Sequence, residues 1–287
     1  MTALVAGPSG GAPLDGSRRC GMAEGMPPWR PIAFTPDFRV VAESPDWIVV
    51  DKPAPLQVHP AKPDSPPTLL DGLEHLLAYE IANGARLSLI NRLDRETSGL
   101  VLVAKNRETA RVFGKAMMRR QVEKRYLALV RGWPAAEVFA VDVPLRRRGE
   151  FDEEAPVHLM QAAHPEGAPS RTEVRVVRRF TRGATAADRP VEYAVVEARP
   201  RTGRTHQIRV HLAHAGHPVV GDKLYGPGGA GPYLAHIETG WTPALEDQLL
   251  LPRQALHSSH LALETEAFGP LAFDADLPPD LAAWAGG

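Results

Sequence analysis

Short runs of apolar residues, bounded by glycine, proline or charged residues, recur along the chain and predict buried strands. Two of the predicted strands, 172–180 and 191–198, alternate apolar and polar positions well enough to form a pair. The full set of predicted strands covers residues 46–50, 87–90, 100–104, 122–130, 172–180, 191–198, 253–263 and 271–273. The pattern therefore predicts a sheet of several strands.

Apolar residues spaced three or four positions apart predict three helices. The first covers Thr68–Ile81 and ends at Asn83-Gly84, and its inward face is Leu69, Leu73, Leu76 and Leu77. The second is capped by Asn106 and runs to about Gln121, with Ala110, Phe113 and Met117 inward. Thr205 is expected to cap the third, which covers 206–215 and stops at Gly216. Alternating strands and helices fit several α/β and α+β layouts.

Two stretches lack such periodicity. Residues 1–28 are rich in glycine, alanine and proline, and we expect them to form a disordered extension. Residues 133–170 are rich in proline and charge, which predicts a hairpin or loop excursion. We expect residues 29–287 to form one domain, without a separate folded module before it.

Composition narrows the class of protein. A chain of 287 residues with 44% hydrophobic content can bury a substantial core. Its 33 basic and 34 acidic residues nearly cancel, yet 107–148 holds eleven Lys or Arg, which allows a basic face. The single cysteine, Cys20, excludes a disulfide framework. Without a signal peptide or an apolar run long enough to span a bilayer, we expect a cytoplasmic protein that does not enter a membrane.

A polar loop, Asn91–Gly99, lies between the strands predicted at 87–90 and 100–104. A charged loop held by two buried strands is a common way to build an active site, and Asp94 is its candidate nucleophile. The alternative is that Asp94 caps a turn and that its arginine neighbours are only solvated.

Four segments together resemble one known family, the RluA-type pseudouridine synthases. The loop is similar to the family signature His-Arg-Leu-Asp-x-x-Thr-Ser-Gly, although Asn91 replaces the histidine. The other similar segments are Asp51–Pro60, Lys124–Val130 and Thr202–Leu212. The resemblance extends from about Asp46 to Leu281, including a closing segment that begins at Arg253.

The resemblance implies an α+β fold with a mixed, largely antiparallel sheet, split by a central cleft and flanked by helices. It also implies isomerisation of uridine to pseudouridine in a structured transfer or ribosomal RNA loop, without cofactor or metal. In that reaction Asp94 acts as the nucleophile, Arg209 pairs with it, Tyr126 stacks on the base and Arg92 fills the space that the flipped base leaves. Whether Asp94 attacks the sugar or the uracil ring stays open.

Further basic side chains are candidates for RNA contacts, and we expect a monomer. In the loop and in the segments Lys124–Val130 and Thr202–Leu212, the candidates are Arg92, Arg95, Lys124, Arg204 and His206. The second helix carries a basic stripe every four residues, Arg111, Lys115 and Arg119. A phosphate-binding role and ordinary solvation are comparably good explanations of this stripe.

Two other classes of function remain open. One is an RNA-binding protein or chaperone without catalysis, which the replacement at Asn91 keeps in view. The other is a hydrolase or glycosidase in which Glu96 serves Asp94 as partner carboxylate. A metal site is not expected, because the histidines near the third helix lack the spacing and additional ligands of a tetrahedral set.

Overall fold

The computed structural model describes residues 38–60, 66–183 and 190–286. The extension expected over residues 1–28 lies outside this part of the chain. The strands are β1 (Arg39–Glu43), β2 (Trp47–Lys52), β3 (Ser88–Leu89), β4 (Ser98–Ala104), β5 (Val122–Arg131), β6 (Val138–Asp142), β7 (Leu145–Arg147), β8 (Gln161–Ala163), β9 (Arg171–Arg182), β10 (Val191–Pro200), β11 (Leu256–Thr265) and β12 (Gly269–Asp274). The helices are α1 (Leu69–Leu76), α2 (Ala78–Ala82), α3 (Arg107–Met118), α4 (Gln207–His214), α5 (Gly231–Thr239), α6 (Pro243–Leu249) and α7 (Pro279–Gly286).

Ten of these strands form one sheet, in the order β1-β2-β4-β11-β5-β10-β9-β6, with β3 beside β4 and β12 beside β11. Its strand pairs are antiparallel except β4 and β11, which run parallel. The predicted α+β fold with a mixed, largely antiparallel sheet is therefore confirmed.

The two halves of the sheet meet at a narrow seam. Only two residue pairs join β4 to β11, Ser98 with His257 and Gly99 with Ser258. Gly99 has a φ of +112°, and a Cβ there would lie 2.3 Å from the carbonyl oxygen of Ser258. The seam therefore requires glycine at this position, where the Asp94 loop enters β4.

Strand β4 is buried on both faces because a helix packs against each. Leu100 and Leu102 lie in a core cluster with Phe113 of α3. Val101 and Val103 lie in another cluster, with Leu69 and Leu73 of α1. Since burying one such side chain stabilises the fold by about 1.5–3 kcal/mol, β4 is a rigid base for the loop that precedes it.

The first two helices differ from their predicted bounds. Leu77 leaves the helical conformation and separates α1 from α2, so the predicted helix over 68–81 is interrupted. Leu76 was expected on the inward face but is 44% exposed. Asn106 does cap α3, by accepting a hydrogen bond of 2.9 Å from the Thr109 amide. This helix ends at Met118, shortly before Arg120 adopts a left-handed backbone.

The cap predicted for the third helix was wrong. The helix α4 begins after His206, which has a left-handed backbone with φ of 55° and makes no side-chain cap. The turn is closed instead by the Gln207 side chain, whose Oε1 accepts hydrogen bonds from the Arg204 amide and the Thr202 hydroxyl. Gly216 ends the helix, as predicted, with φ of +85°.

Residues 133–170 form β6 at one edge of the main sheet and a separate two-stranded sheet of β7 and β8. We call residues 143–170 the β7–β8 arm. Across the described ranges, no helix has the length and apolar character needed to cross a bilayer.

Candidate active site

Asn91 fastens the start of the Asp94 loop to β4. Its side-chain amide donates to the Leu100 carbonyl at 3.0 Å, and its side-chain oxygen accepts from the Leu102 amide at 2.8 Å. Asn91 is buried, so both polar ends are satisfied without water. The replacement of the signature histidine therefore leaves this end of the loop firmly attached.

The carboxylate of Asp94 is held through one oxygen. Its Oδ2 accepts hydrogen bonds from Arg209 Nη1 at 2.8 Å and from Gln254 Nε2 at 3.3 Å. His206 Nε2 lies 3.9 Å from the same oxygen. Oδ1 accepts no hydrogen bond from the residues that the structure describes, and the side chain is 29% exposed. Asp94 is thus fixed through Oδ2, while Oδ1 has no donor among the described residues.

Arg209 sets the charge of Asp94. Burial would raise the pKa of Asp94, but the guanidinium charge and hydrogen bond of Arg209 outweigh it and hold this pKa below 3.8. Since the guanidinium does not lose its proton at any ordinary pH, Asp94 is ionised near neutrality.

Arg209 is itself aimed by a second carboxylate. Its Nε and Nη2 donate to Asp222 at 2.7 and 2.9 Å, which leaves Nη1 for Asp94. Asp222 is buried and also accepts the backbone amides of Leu224 and Tyr225. Because a bidentate pair fixes the plane of the guanidinium, Asp222 determines where Arg209 points.

His206 and Tyr225 form the wall beside Asp94. Tyr225 Oη lies 2.8 Å from His206 Nδ1 and accepts the Gln161 amide at 2.8 Å, which connects the β7–β8 arm to the site. Burial and the positive charge of Arg209 lower the pKa of His206 to about 4. His206 is therefore a neutral imidazole at pH 7.

The loop is also secured from behind. The fully buried Lys52 donates to three carbonyls, those of Pro53, Leu56 and Arg95, at 2.8, 2.7 and 3.2 Å. Arg253 binds Asp280 through two nitrogens and contacts the Ser98 hydroxyl at 3.3 Å. The Asp51–Pro60 segment thus contacts the loop at Arg95, through Lys52 and the Leu56 amide.

Tyr126 lies on β5 and is 8% exposed, in the core cluster that includes α4. Burial, together with the nearby charge of Asp94, raises its pKa to about 12. Lys124 faces the same way two residues earlier and lies beside Gly203, where an added Cβ would be 3.6 Å from its Nζ. Burial lowers the pKa of Lys124.

The remaining candidate RNA contacts are exposed. Arg92, Arg95 and Arg204 lie on loops around Asp94 and His206. The basic stripe is exposed on α3 and at Arg119, the residue that follows it, and α3 supplies none of the contacts to Asp94 described above. The structure therefore brings Arg209 and His206 to Asp94, but it leaves the stripe outside this constellation.

Several residues in the site had no role in the sequence-based hypothesis. These are Gln254, Asp222, Tyr225, Lys223 and Arg253. Arg253 and Gln254 lie in the closing segment that resembles the family, but nothing local marks a glutamine or a lysine as pointing toward a loop 127 to 160 positions away.

Comparisons with known proteins identify the family of this chain. The chain matches the family model described as RNA pseudouridylate synthase over residues 46–214. It is 35% identical to the ribosomal large subunit pseudouridine synthase D of Nitrosomonas europaea over 249 residues, which cover 86% of this chain and 64% of that protein. The protein of the same name in Haemophilus ducreyi is 35% identical, with 87% of this chain and 71% of that one covered. The chain thus spans less than two thirds of the Nitrosomonas relative.

Solved structures are similar as well. The human RNA Pseudouridylate Synthase Domain Containing 1 has a TM-score of 0.61 and 27% identity, covering 86% of this chain and 87% of that one. The human domain-containing protein 4 of the same series also has a TM-score of 0.61, and its 23% identity supports the fold alone.

Proposed function

Because the chain belongs to the RNA pseudouridylate synthase family, we propose that it isomerises uridine to pseudouridine in structured RNA, with Asp94 as the nucleophile. One observation carries the choice of nucleophile. Asp94 is ionised, is held through Oδ2 by Arg209 and Gln254, and leaves Oδ1 without a hydrogen bond from the described residues.

The reaction needs few chemical groups. The bond between uracil N1 and ribose C1′ breaks, the base turns, and C5 of the base bonds to C1′; the proton that C5 then loses is balanced by a proton that N1 gains. Nothing is oxidised and no group is added, so we propose that no cofactor takes part. The reaction calls for at least an ionised carboxylate, a cation that keeps it ionised and a surface for the loosened base. Asp94 and Arg209 supply the first two, and Oδ1 is available for attack on either the sugar or the uracil ring.

Access to the uridine requires base flipping, which costs a few kcal/mol and least in a loop or bulge. We propose that Tyr126 stacks on the extruded base and that Arg92 occupies the space left in the RNA. Base–aromatic stacking contributes about 1–3 kcal/mol per base. Arg95, Lys124 and Arg204 would bind the neighbouring phosphates, and the basic stripe on α3 would extend this contact along the RNA.

The names of the relatives suggest a first substrate. Both bacterial relatives are named for the large ribosomal subunit, so we propose a loop of large-subunit RNA as the target, with a transfer RNA loop as the second candidate. We further propose that residues 29–287 form one catalytic domain that acts as a monomer in the cytoplasm.

The two other classes of function have less support. An inactive RNA-binding protein would not need an ionised carboxylate held in this way, and Asn91 keeps the loop attached to β4. A glycosidase would need Glu96 as partner acid or base. Glu96 is instead bound by Lys223 at 2.7 Å.

The proposal is tested by incubating the purified protein with large-subunit RNA and transfer RNA from a strain that lacks its gene. Pseudouridines are mapped by carbodiimide modification and primer extension. We expect a new pseudouridine at a defined loop position in one of the two RNA pools. Binding of both pools without any new pseudouridine would favour the inactive RNA-binding protein instead.

A further inference from the structure

We propose that His206 is a further catalytic residue, whose Nε2–H donates a hydrogen bond to a carbonyl oxygen of the uracil while the base is detached from the sugar. This inference rests on the proposed isomerase function and assigns one more role within the same site.

The direction of the hydrogen bonds around Tyr225 places the imidazole hydrogen. The Gln161 amide can only donate, so Tyr225 Oη accepts from it at 2.8 Å. The Tyr225 hydroxyl still has its own hydrogen to donate, and we infer that it donates to His206 Nδ1, which lies 2.8 Å away. A neutral imidazole that accepts at Nδ1 carries its hydrogen on Nε2.

Within the described part of the chain, this Nε2–H has no hydrogen-bond acceptor. Its nearest carboxylate oxygen, Asp94 Oδ2, is 3.9 Å away, which is too long for a hydrogen bond, and it already accepts from Arg209 and Gln254. The described residues offer Nε2 no other partner, while the side chain is 17% exposed. We infer that this Nε2–H points to the space beside Asp94 in which the uracil of the bound uridine would lie.

The chemistry requires such a donor. When the bond between C1′ and N1 breaks, its electron pair leaves with the base, so the detached uracil is an anion with charge on N1 and on its carbonyl oxygens. A neutral N–H stabilises this charge by a hydrogen bond and keeps its proton. The base must remain an anion until C5 has attacked C1′, so transfer of the proton before that step would be unproductive. Four groups face the imidazole: Asp94, Arg209, Asp222 and Tyr225. Burial and Arg209 keep it neutral.

The backbone conformation of His206 also indicates that the surrounding structure fixes the position of its side chain. His206 has φ of 55°, a left-handed conformation that side chains other than glycine rarely adopt. Such conformations cluster at functional sites, where the surrounding structure maintains them. Here the Gln207 side chain closes the turn and the Tyr225 hydroxyl fixes the ring.

The test compares His206→Leu, which removes the donor, with His206→Gln, which retains an N–H, and with Tyr225→Phe. His214→Gln, on the exposed end of α4, is the matched control. Single-turnover rates are measured by tritium release from C5-labelled uridine in RNA, alongside RNA affinity. We expect a rate loss of ~100-fold for His206→Leu at unchanged affinity, as for other donors that stabilise a developing anion, with partial recovery in His206→Gln. The control should match the native protein.

Two further measurements separate a neutral donor from a general acid. The native rate should stay level as pH rises through 6.5, whereas a decline would mean that protonated His206 is required and would overturn the proposal. Long-range ¹⁵N–¹H spectra should place the hydrogen on Nε2 and show mixed tautomers in Tyr225→Phe. Spectra that place the hydrogen on Nδ1 would also refute the role proposed for His206. So would a His206→Leu variant that reacts as fast as an active native protein. A native protein that forms no pseudouridine would instead refute the proposed function.

Discussion

Asp222→Asn tests whether Arg209 is held in place by a second carboxylate. Asp222 is 1% exposed and accepts two hydrogen bonds from Arg209. An asparagine can keep one of these bonds, but its amide would then turn a donor toward the other guanidinium N–H. Losing one partner of a buried ion pair costs about 3–5 kcal/mol, and the shape-conserving change should lie near the lower end.

This loss corresponds to a melting temperature lower by about 6–12 °C, since 1 kcal/mol shifts a domain of this size by about 2–4 °C. Thermal unfolding followed by circular dichroism at pH 7 measures the shift. The matched control is Asp274→Asn, because Asp274 pairs with His260 but is 78% exposed. Exposed pairs contribute about 0–1 kcal/mol, so the control should melt within about 4 °C of the native protein.

The pH dependence gives an independent check. Arg209 outweighs burial and lowers the pKa of Asp222 below 3.8. The stability that this carboxylate contributes is therefore present above 3.8 and is lost as pH falls through the lower pKa of the folded state. The difference between the native protein and Asp222→Asn should stay constant from about pH 5 to 8 and narrow below about pH 4. A variant that melts with the native protein at pH 7 would refute the role given to Asp222.

Three other predictions concern the loop, the base and the RNA backbone. Asn91→Ala should lower the free energy of unfolding, measured in urea, by about 2–3 kcal/mol, because it leaves two buried backbone groups of β4 unpaired. The control Asn83→Ala, at an exposed position, should lower it by less than about 1 kcal/mol. Equal losses in the two variants would contradict the anchoring role of Asn91. Tyr126→Ala should lose far more turnover than Tyr126→Phe, and equal rates would exclude stacking by the ring. Lys115→Ala combined with Arg119→Ala should reduce the salt dependence of RNA affinity by about 0.7–0.9 per phosphate contact, and an unchanged slope would make the stripe an ordinary solvated face.

Features with local signals could be predicted from the sequence. The apolar run at 100–104 identified β4 because a strand covered on both faces is apolar at every position. Alternation at 172–180 and 191–198 identified the paired β9 and β10. Asn106 was recognised as a helix cap because its bond to the Thr109 amide spans three residues.

Features that depend on contacts between distant residues could not be predicted from the sequence. The break at Leu77 interrupts a leucine pattern that fits a continuous helix. Thr205 has the right side chain for a cap, but His206 takes a left-handed backbone that starts the helix later. The strand predicted from Arg253 begins only at Leu256, because Arg253 and Gln254 direct their side chains to the Asp94 loop.

The residues of the candidate site likewise divide into those that could be predicted and those that could not. The resemblance brought Asp94 and Arg209 together, and the structure joins them by a hydrogen bond across 115 positions. It did not assign Gln254 or Asp222, since a short motif identifies a residue type and not the atom that it contacts. The sequence also could not predict that Oδ1 of Asp94 lacks a donor among the described residues, because this depends on where each donor around the carboxylate lies.

The most direct test of the central claim is the Asp94→Asn variant, assayed for pseudouridine in the RNA that the native protein modifies. Asparagine keeps the size of the side chain and removes the charge, so filter binding should show RNA affinity close to that of the native protein. We predict no pseudouridine above background at the mapped position after a time in which the native protein modifies all of it. Full modification by Asp94→Asn would contradict the proposal that this carboxylate is the nucleophile.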